Sequence, residues 1–92
     1  MAEIAPRAQP VLRSQYRLQW EDAQQSWVLL YPEGMVRLNG PAGEILKRCD
    51  GATEVSALVA DLERAFATTD LRDDVHEFLT EAQTHGWIEF AA

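Results

Sequence analysis

The spacing of the apolar residues changes once along the chain, and this change constrains the fold more than any other feature. Before Asn39-Gly40-Pro41, apolar residues alternate with polar ones at Tyr16, Leu18 and Trp20, and a short continuous apolar run from Trp27 to Tyr31 suits a central strand. This alternation is typical of a half-buried strand. After the tripeptide, apolar residues recur every three or four positions, which is typical of amphipathic helices. The sequence therefore predicts strands in its first half and helices in its second half.

Three strands are predicted, over residues 16–20, 27–31 and 35–38. The polar residues 21–26 suit a hairpin turn between the first two strands. Tyr31-Pro32-Glu33-Gly34 favours a second turn, because proline fixes the φ angle that the second position of a turn needs. The prediction is a three-stranded antiparallel meander.

Three helices are predicted after the meander. Asn39 or Gly40 caps the first helix, Thr53 the second and Asp70 the third, while Gly86 ends the third. Each helix carries one apolar stripe: Ala42, Ile45, Leu46 and Cys49; then Val55, Leu58, Val59, Leu62 and Phe66; then Leu71, Val75, Phe78, Leu79 and Ala82. We expect Trp87, Ile88 and Phe90 to pack back on the core as an apolar tail.

A chain of 92 residues allows one domain. Residues 1–14 contain Pro6 and Pro10 and show no periodicity, so we predict a flexible N-terminal arm followed by a single domain over residues 15–92. The last two helices suggest a helix-turn-helix pair, with the hairpins as a wing. The predicted fold class is α+β, winged helix-turn-helix-like, with the meander preceding the three helices.

The sequence predicts neither a catalytic site nor a metal site. His76 and His85 lie at helical spacing from Asp73 and Glu81, but no further Cys or His completes a coordination shell. Cys49 falls on an apolar stripe, which favours a buried position over a reactive thiol. We expect no enzyme activity and no cofactor. With no signal peptide and no apolar run of the ~20 residues that span a bilayer, we expect a soluble cytoplasmic protein without membrane contact.

The charge distribution argues against nucleic-acid binding. The formal net charge is −7, and residues 50–92 carry ten acidic residues against Arg64 and Arg72 alone. The predicted third helix is itself strongly acidic, although a DNA-reading helix needs cations and amides toward the duplex. A winged-helix regulator that binds DNA or another protein remains the alternative hypothesis.

The third predicted strand is an edge of the meander, and its residues are Met35, Val36, Arg37 and Leu38. An unblocked edge strand can accept an extended peptide as an additional strand. A groove between this strand and the third helix would have Val75, Phe78 and Leu79 as its candidate walls. Taken singly, each of these three residues also suits a position in the core.

Several sequence blocks carry a family resemblance. They are residues 16–21 (Tyr-Arg-Leu-Gln-Trp-Glu), residues 29–36 (Leu-Leu-Tyr-Pro-Glu-Gly-Met-Val), Leu38-Asn39, Ile45-Leu46, Cys49-Asp50-Gly51, Asp74-Val75, Phe78-Leu79 and Gly86-Trp87-Ile88. In these blocks the chain closely resembles the pyrroloquinoline quinone biosynthesis protein D family, PqqD, from about residue 10 to residue 90. The Leu-Leu-Tyr-Pro-Glu-Gly run is the most specific part of the resemblance.

The resemblance implies a non-catalytic peptide chaperone with a winged-helix-like fold. Members of the family bind the precursor peptide PqqA and present it to the radical S-adenosylmethionine enzyme PqqE, which holds the iron–sulfur clusters. In related modules the peptide adds to the third strand and lies against the third helix, which implies Met35, Val36, Arg37 and Leu38 with Val75, Phe78 and Leu79 opposite. Two further possibilities stay open: an assembly subunit that docks on the enzyme without touching the peptide, and a homodimer, including an exchanged one, which the exposed strand edge and the loose arm would permit.

Overall fold

The computed structural model describes residues 4–91. In chain order it contains strands β1 Gln9–Leu12, β2 Arg17–Glu21, β3 Ser26–Tyr31 and β4 Gly34–Arg37, helices α1 Gly40–Lys47, α2 Val55–Ala65 and α3 Arg72–Thr84, and strand β5 Ile88–Ala91. The fold is α+β, and each strand pair in the described part of the chain is antiparallel.

The predicted meander is confirmed as a three-stranded sheet in the order β2-β3-β4. Leu18, Leu29 and Val36 lie opposite one another across the three strands, so they share one face of the sheet. That face packs on the helices, where Leu29 is fully buried. The turns at residues 21–26 and 31–34 connect the strands as predicted.

The flexible arm predicted over residues 1–14 is wrong for residues 9–12, which form β1 and pair with β5. Ile88 and Phe90 of the predicted apolar tail lie in β5, where Phe90 is opposite Pro10 of β1, and Trp87 comes just before this strand. Two-stranded sheets have only edge strands, which tolerate the missing N–H of Pro10. The pairing joins opposite ends of the sequence, so no local pattern indicates it. Residues 1–3, also part of the predicted arm, lie outside the described residues.

The N-terminal residues that precede β1 also contribute to the start of α2. Thr53 was predicted to cap the helix, but the N-cap is Glu54, and no side chain caps the helix there. Instead, the N–H groups of Val55 and Ser56 donate to the carbonyls of Ala8 and Pro6, both at 2.9 Å. These main-chain oxygens satisfy two of the donors that every helix N-terminus leaves unpaired.

Of the other three predicted helix ends, two are confirmed and one is wrong. Asn39 caps α1 by accepting the N–H of Ala42 at 2.8 Å. Gly86 follows α3 at φ 77°, in the left-handed conformation that a helix end favours. The predicted cap at Asp70 is wrong: α3 has Leu71 as its N-cap, and the Leu71 N–H donates to the Glu63 carboxylate at 3.1 Å.

The core lies between the meander and the three helices. The predicted stripe of α1 is buried throughout, as are Val55, Leu58, Val59 and Leu62 of α2. Phe66 was predicted on the same stripe, but it is 46% exposed, so that part of the prediction is wrong. Over residues 4–91, no helix has the length and apolar character needed to cross a membrane.

Candidate functional site

Strand β4 is an open edge of the meander, and the register shows which of its main-chain groups are free to bind. The register pairs Val28 with Arg37, and the Leu38 N–H donates to the Trp27 carbonyl at 3.0 Å, so this hydrogen bond extends the same register by one residue on each side. Hydrogen-bonded pairs alternate along an antiparallel ladder. The main-chain groups of Val36 and Leu38 therefore face β3, and those of Met35 and Arg37 point away from the sheet. This edge can accept another strand.

A groove of about 340 Å³ lies between β4 and α3. Its walls are Val36, Arg37, Leu38, Asn39, Pro41, Ala42 and Ile45 on one side, and Asp74, Phe78, Glu81, His85 and Trp87 on the other. An extended segment paired with β4 would lie directly beside this groove. The edge and the groove thus form one candidate site.

Four of the seven predicted site residues border the groove, namely Val36, Arg37, Leu38 and Phe78. The other three are absent from its walls. Met35 is 50% exposed at the strand edge, whereas Val75 and Leu79 are buried in the core. Contact of any of the seven with a bound partner stays a prediction.

The α3 wall of the groove was only partly anticipated from the sequence. Asp74, Phe78, Glu81 and His85 are spaced by four, three and four residues, so they share one face of the helix. This face mixes acids with aromatic rings and is displaced from the apolar stripe. The sequence signal for this face is a stripe of alternating acidic and aromatic residues at helical spacing. The apolar pattern alone selected Phe78, which lines the groove, together with Val75 and Leu79, which pack in the core.

The groove has an asymmetric charge. Asp74 and Glu81 line its helical wall, and Arg37 lies on the strand side. None of these three side chains forms an ion pair with another residue in the range 4–91. At one end, the rings of His85 and Trp87 stack at 4.8 Å. The groove can therefore bind a segment with apolar side chains and a cation directed toward α3.

The thiol of Cys49 lies outside this site. Its side chain is buried just after α1, and Sγ is 3.3 Å from the Ile45 carbonyl oxygen. Burial raises the pKa of the thiol to about 12, with a further contribution from the nearby Asp50 carboxylate. The thiol therefore stays protonated at neutral pH, and its buried position agrees with the prediction. No group of three or more His, Cys, Asp and Glu residues suited to a metal ion occurs among the residues described.

The fold and the site define a class: a small α+β domain with an open sheet edge beside an acidic, partly apolar groove. Comparison with known proteins identifies the family within that class. Residues 26–88 match the model of the family described as coenzyme PQQ synthesis protein D, PqqD. This match covers more than half of the chain, and the chain belongs to the PqqD family.

Relatives match over most of their length. The chain is 47% identical to the PqqA binding protein of Azotobacter vinelandii over 90 residues, which cover 97% of this chain and 98% of the relative. It is 49% identical to the PqqA binding protein of Pseudomonas aeruginosa over 81 residues, or 87% and 88% of the two chains. The Methylococcus capsulatus PqqA binding protein is 47% identical over 78% of this chain and 77% of its own.

One solved structure is similar in fold as well as in sequence. It is the solution NMR structure of the PqqD truncation of Methylobacterium extorquens PqqCD, described as a functional, stand-alone recognition element for ribosomally synthesized and post-translationally modified peptides. The TM-score is 0.74 with 26% identity, over 87% of each chain.

Proposed function

We propose that this protein is a non-catalytic peptide chaperone that binds the precursor peptide PqqA and presents it to PqqE. The observation that carries the proposal is the open edge of β4, where the main-chain groups of Met35 and Arg37 point outward beside the groove. PqqA would add to this edge as an extended strand and place alternate side chains against α3. The names of the relatives, PqqA binding proteins, support the same ligand.

The proposed contact residues follow from this geometry. Val36, Leu38 and Phe78 would contact the side chains of the peptide, and Met35 and Arg37 would pair with its main chain. Val75 and Leu79 would support the groove from the core, because they are almost fully buried. Such binding requires no chemistry from the chain itself, so the cofactors would belong to PqqE.

The winged helix-turn-helix relationship belongs to the same proposal. Helices α2 and α3 and the β2-β3-β4 meander supply the parts of such a fold, with the β1–β5 sheet added. The α3 face beside β4 carries Asp74 and Glu81, which would repel a phosphate backbone. A peptide therefore fits this surface better than DNA. If this protein shifted the mobility of DNA at low salt, DNA would become the favoured ligand.

The site of action and the assembly state complete the proposal. PqqA is made on the ribosome, so the encounter would occur in the cytoplasm. One copy of the chain carries the complete edge and groove, so a single copy can bind one peptide. A homodimer stays a prediction, which sedimentation would test.

Replacing Arg37 with proline tests strand addition. The Arg37 N–H points away from β3, so R37P removes an intermolecular donor while the sheet keeps its own bonds. A peptide carbonyl left without its donor costs about 1–3 kcal/mol. We therefore expect R37P to bind synthetic PqqA roughly 5–150 times more weakly than R37A, by calorimetry.

R37A is the matched control, because it loses the same side chain but keeps the N–H group. The difference between the two variants isolates the main-chain contribution. Modification of PqqA by PqqE should fall in the same order. Equal affinities of R37P and R37A would contradict strand addition, provided that circular dichroism shows both variants folded. Equal modification in the presence and absence of the chain would contradict presentation to PqqE.

A further inference from the structure

A second cavity of about 260 Å³ lies where the three helices meet. Its walls are Pro41, Ile45, Leu62, Phe66, Thr68, Leu71, Asp74 and Val75. All but Thr68 and Asp74 are apolar, and Phe66 borders the cavity while remaining 46% exposed. A ligand that filled the cavity and covered this ring would remove apolar surface from water, which is favourable.

The end of α2 explains why Phe66 stays at the rim. Ala67 follows the helix at φ 51°, and its N–H donates to the Arg64 carbonyl at 3.2 Å, while the Thr68 N–H donates to Glu63 at 3.0 Å. This pair of bonds is the Schellman helix end. It turns the chain away immediately after Phe66 and fixes the position of the ring.

The cavity adjoins the groove beside β4. Pro41, Ile45 and Asp74 line both spaces. Asp74 thus lies at the junction, where its carboxylate forms no ion pair with any other residue between positions 4 and 91. The groove and the cavity therefore adjoin at Asp74, with His85 and Trp87 in the wall of the groove and Phe66 in the wall of the cavity.

We propose that this cavity receives an apolar side chain of the same peptide that adds to β4, with a cationic residue of that peptide beside Asp74. This inference rests on the proposed function and adds a second anchor to it. A peptide that left the strand edge at Pro41 would meet the carboxylate first and the apolar cavity next. The cavity would thus select which extended peptides bind, because strand pairing alone reads no side chains.

The size and chemistry of the cavity favour a side chain over a separate small molecule. Its volume lies below the roughly 300–1,000 Å³ of typical small-molecule sites, which also offer several converging polar groups. Here Thr68 and Asp74 are the polar residues of the wall. The unpaired carboxylate at the junction selects a peptide with a positive charge next to its apolar residue.

The first test uses the unaltered chain with synthetic PqqA. Leu62, Phe66 and Leu71 line the helical cavity and not the β4 groove, whereas Val36 and Phe78 line only the groove. Intermolecular nuclear Overhauser effects from PqqA to Leu71 and Phe66, in addition to those to Val36 and Phe78, are expected. Effects confined to Val36 and Phe78 would overturn the second anchor and leave the proposed function intact.

The second test measures affinity with matched variants. F66D removes the aromatic wall and introduces a charge, and we expect PqqA to bind about tenfold more weakly. A60D adds the same charge at an exposed position of α2 that borders neither space, and it should bind as the unaltered chain does. F66Y keeps the aromatic ring and should restore most of the affinity.

Alanine replacements along PqqA then identify the occupant. The apolar residue of PqqA that enters the cavity should contribute little to binding in F66D. Replacing it with alanine should therefore weaken binding to F66D less than it weakens binding to the unaltered chain. Equal binding of F66D and A60D to PqqA would overturn the inference. Failure of the unaltered chain to bind PqqA would overturn the proposed function, and the second anchor with it.

Discussion

At the residue scale, the contact of Gly43 with Trp27 sets how closely α1 approaches the sheet. A Cβ at position 43 would overlap the Trp27 side chain. Trp27 is also fixed by its Nε1–H, which donates to the Glu44 carboxylate at 3.3 Å, and by an edge-to-face contact with Trp20. The absence of a side chain at Gly43 therefore lets α1 lie directly on the indole.

Replacing Gly43 with alanine should destabilise the fold by about 1–3 kcal/mol or more, the usual cost of overpacking. Gly40 is the matched control, because it lies in the same helix and a Cβ there meets no atom within 4 Å. G40A should leave stability unchanged or raise it slightly. Urea denaturation measures both variants, and equal midpoints would contradict the proposed packing constraint.

Ala67 holds a left-handed conformation that glycine adopts more easily. Its φ is 51° at the position after α2 where helix ends favour glycine. We expect A67G to stabilise the chain by roughly 1 kcal/mol, because the cost of placing a Cβ in this conformation is removed. Ala65, inside the last turn of α2, is the control, and A65G should destabilise by roughly 0.5–1 kcal/mol. Thermal unfolding that gives both changes the same sign would refute this reading of the helix end.

At the element scale, an ion-pair network fastens the end of α1 to α2. The Arg48 guanidinium donates to the Glu44 carboxylate at 2.8 Å and to the Asp61 carboxylate on α2. The hydrogen bond from Arg48 is the main reason that the pKa values of Glu44 and Asp61 both lie below their usual values. Side-chain exposure is 17% for Arg48, so water only partly screens the network.

This network predicts how stability changes with acid. A carboxyl whose pKa is lower in the folded state binds fewer protons there than in the unfolded chain, so its stabilisation is present above the unfolded pKa of about 4 and is lost as the pH falls below it. E44Q should cost about 1 kcal/mol at pH 7 and progressively less toward pH 3. Guanidinium would screen the pairs, so urea midpoints across this range are the suitable measurement.

The control for this change is E33Q. Glu33 is an exposed residue of the β3–β4 turn, and it takes part in no ion pair with another residue of the described range. E33Q should follow the pH profile of the unaltered chain. A constant difference between E44Q and the unaltered chain from pH 7 to pH 3 would show that the charge of Glu44 has no role in the network.

The elements also show what a sequence can and cannot reveal. The meander and the three helices were predictable because each has a local signal, such as the alternation at Leu18 and Trp20 or the cap at Asn39. The β1–β5 sheet was not, because its pairing depends on residues from opposite ends of the chain. The same long-range contact explains the wrong cap at Thr53, since the carbonyls of Pro6 and Ala8 bond the first amides of α2.

At the scale of the whole molecule, the site combines a predictable part with one that depends on packing. The open β4 edge follows from the order of the strands, which the turns indicate. The α3 wall of the groove cannot be predicted in this way, because apolar spacing alone does not distinguish a helix face in the core from one that lines a groove. Val75 and Leu79 face the core, and Asp74, Phe78, Glu81 and His85 line the groove.

The charge of the whole molecule also bears on binding. A chain with net charge −7 attracts a cationic peptide, and the groove concentrates this attraction at Asp74 and Glu81. In the proposed mode of binding, the open edge would then hold the peptide through main-chain bonds. Attraction and pairing thus act at one place, the space between β4 and α3.

Amide hydrogen exchange along β4, with and without PqqA, tests the central claim most directly. In the free chain, the outward amides of Met35 and Arg37 should exchange quickly, while the amides of Val36 and Leu38, bonded to β3, should exchange slowly. Bound PqqA should slow exchange at Met35 and Arg37 and leave the alternation elsewhere in the strand unchanged. Saturating PqqA with no added protection at these two amides would contradict strand addition at β4.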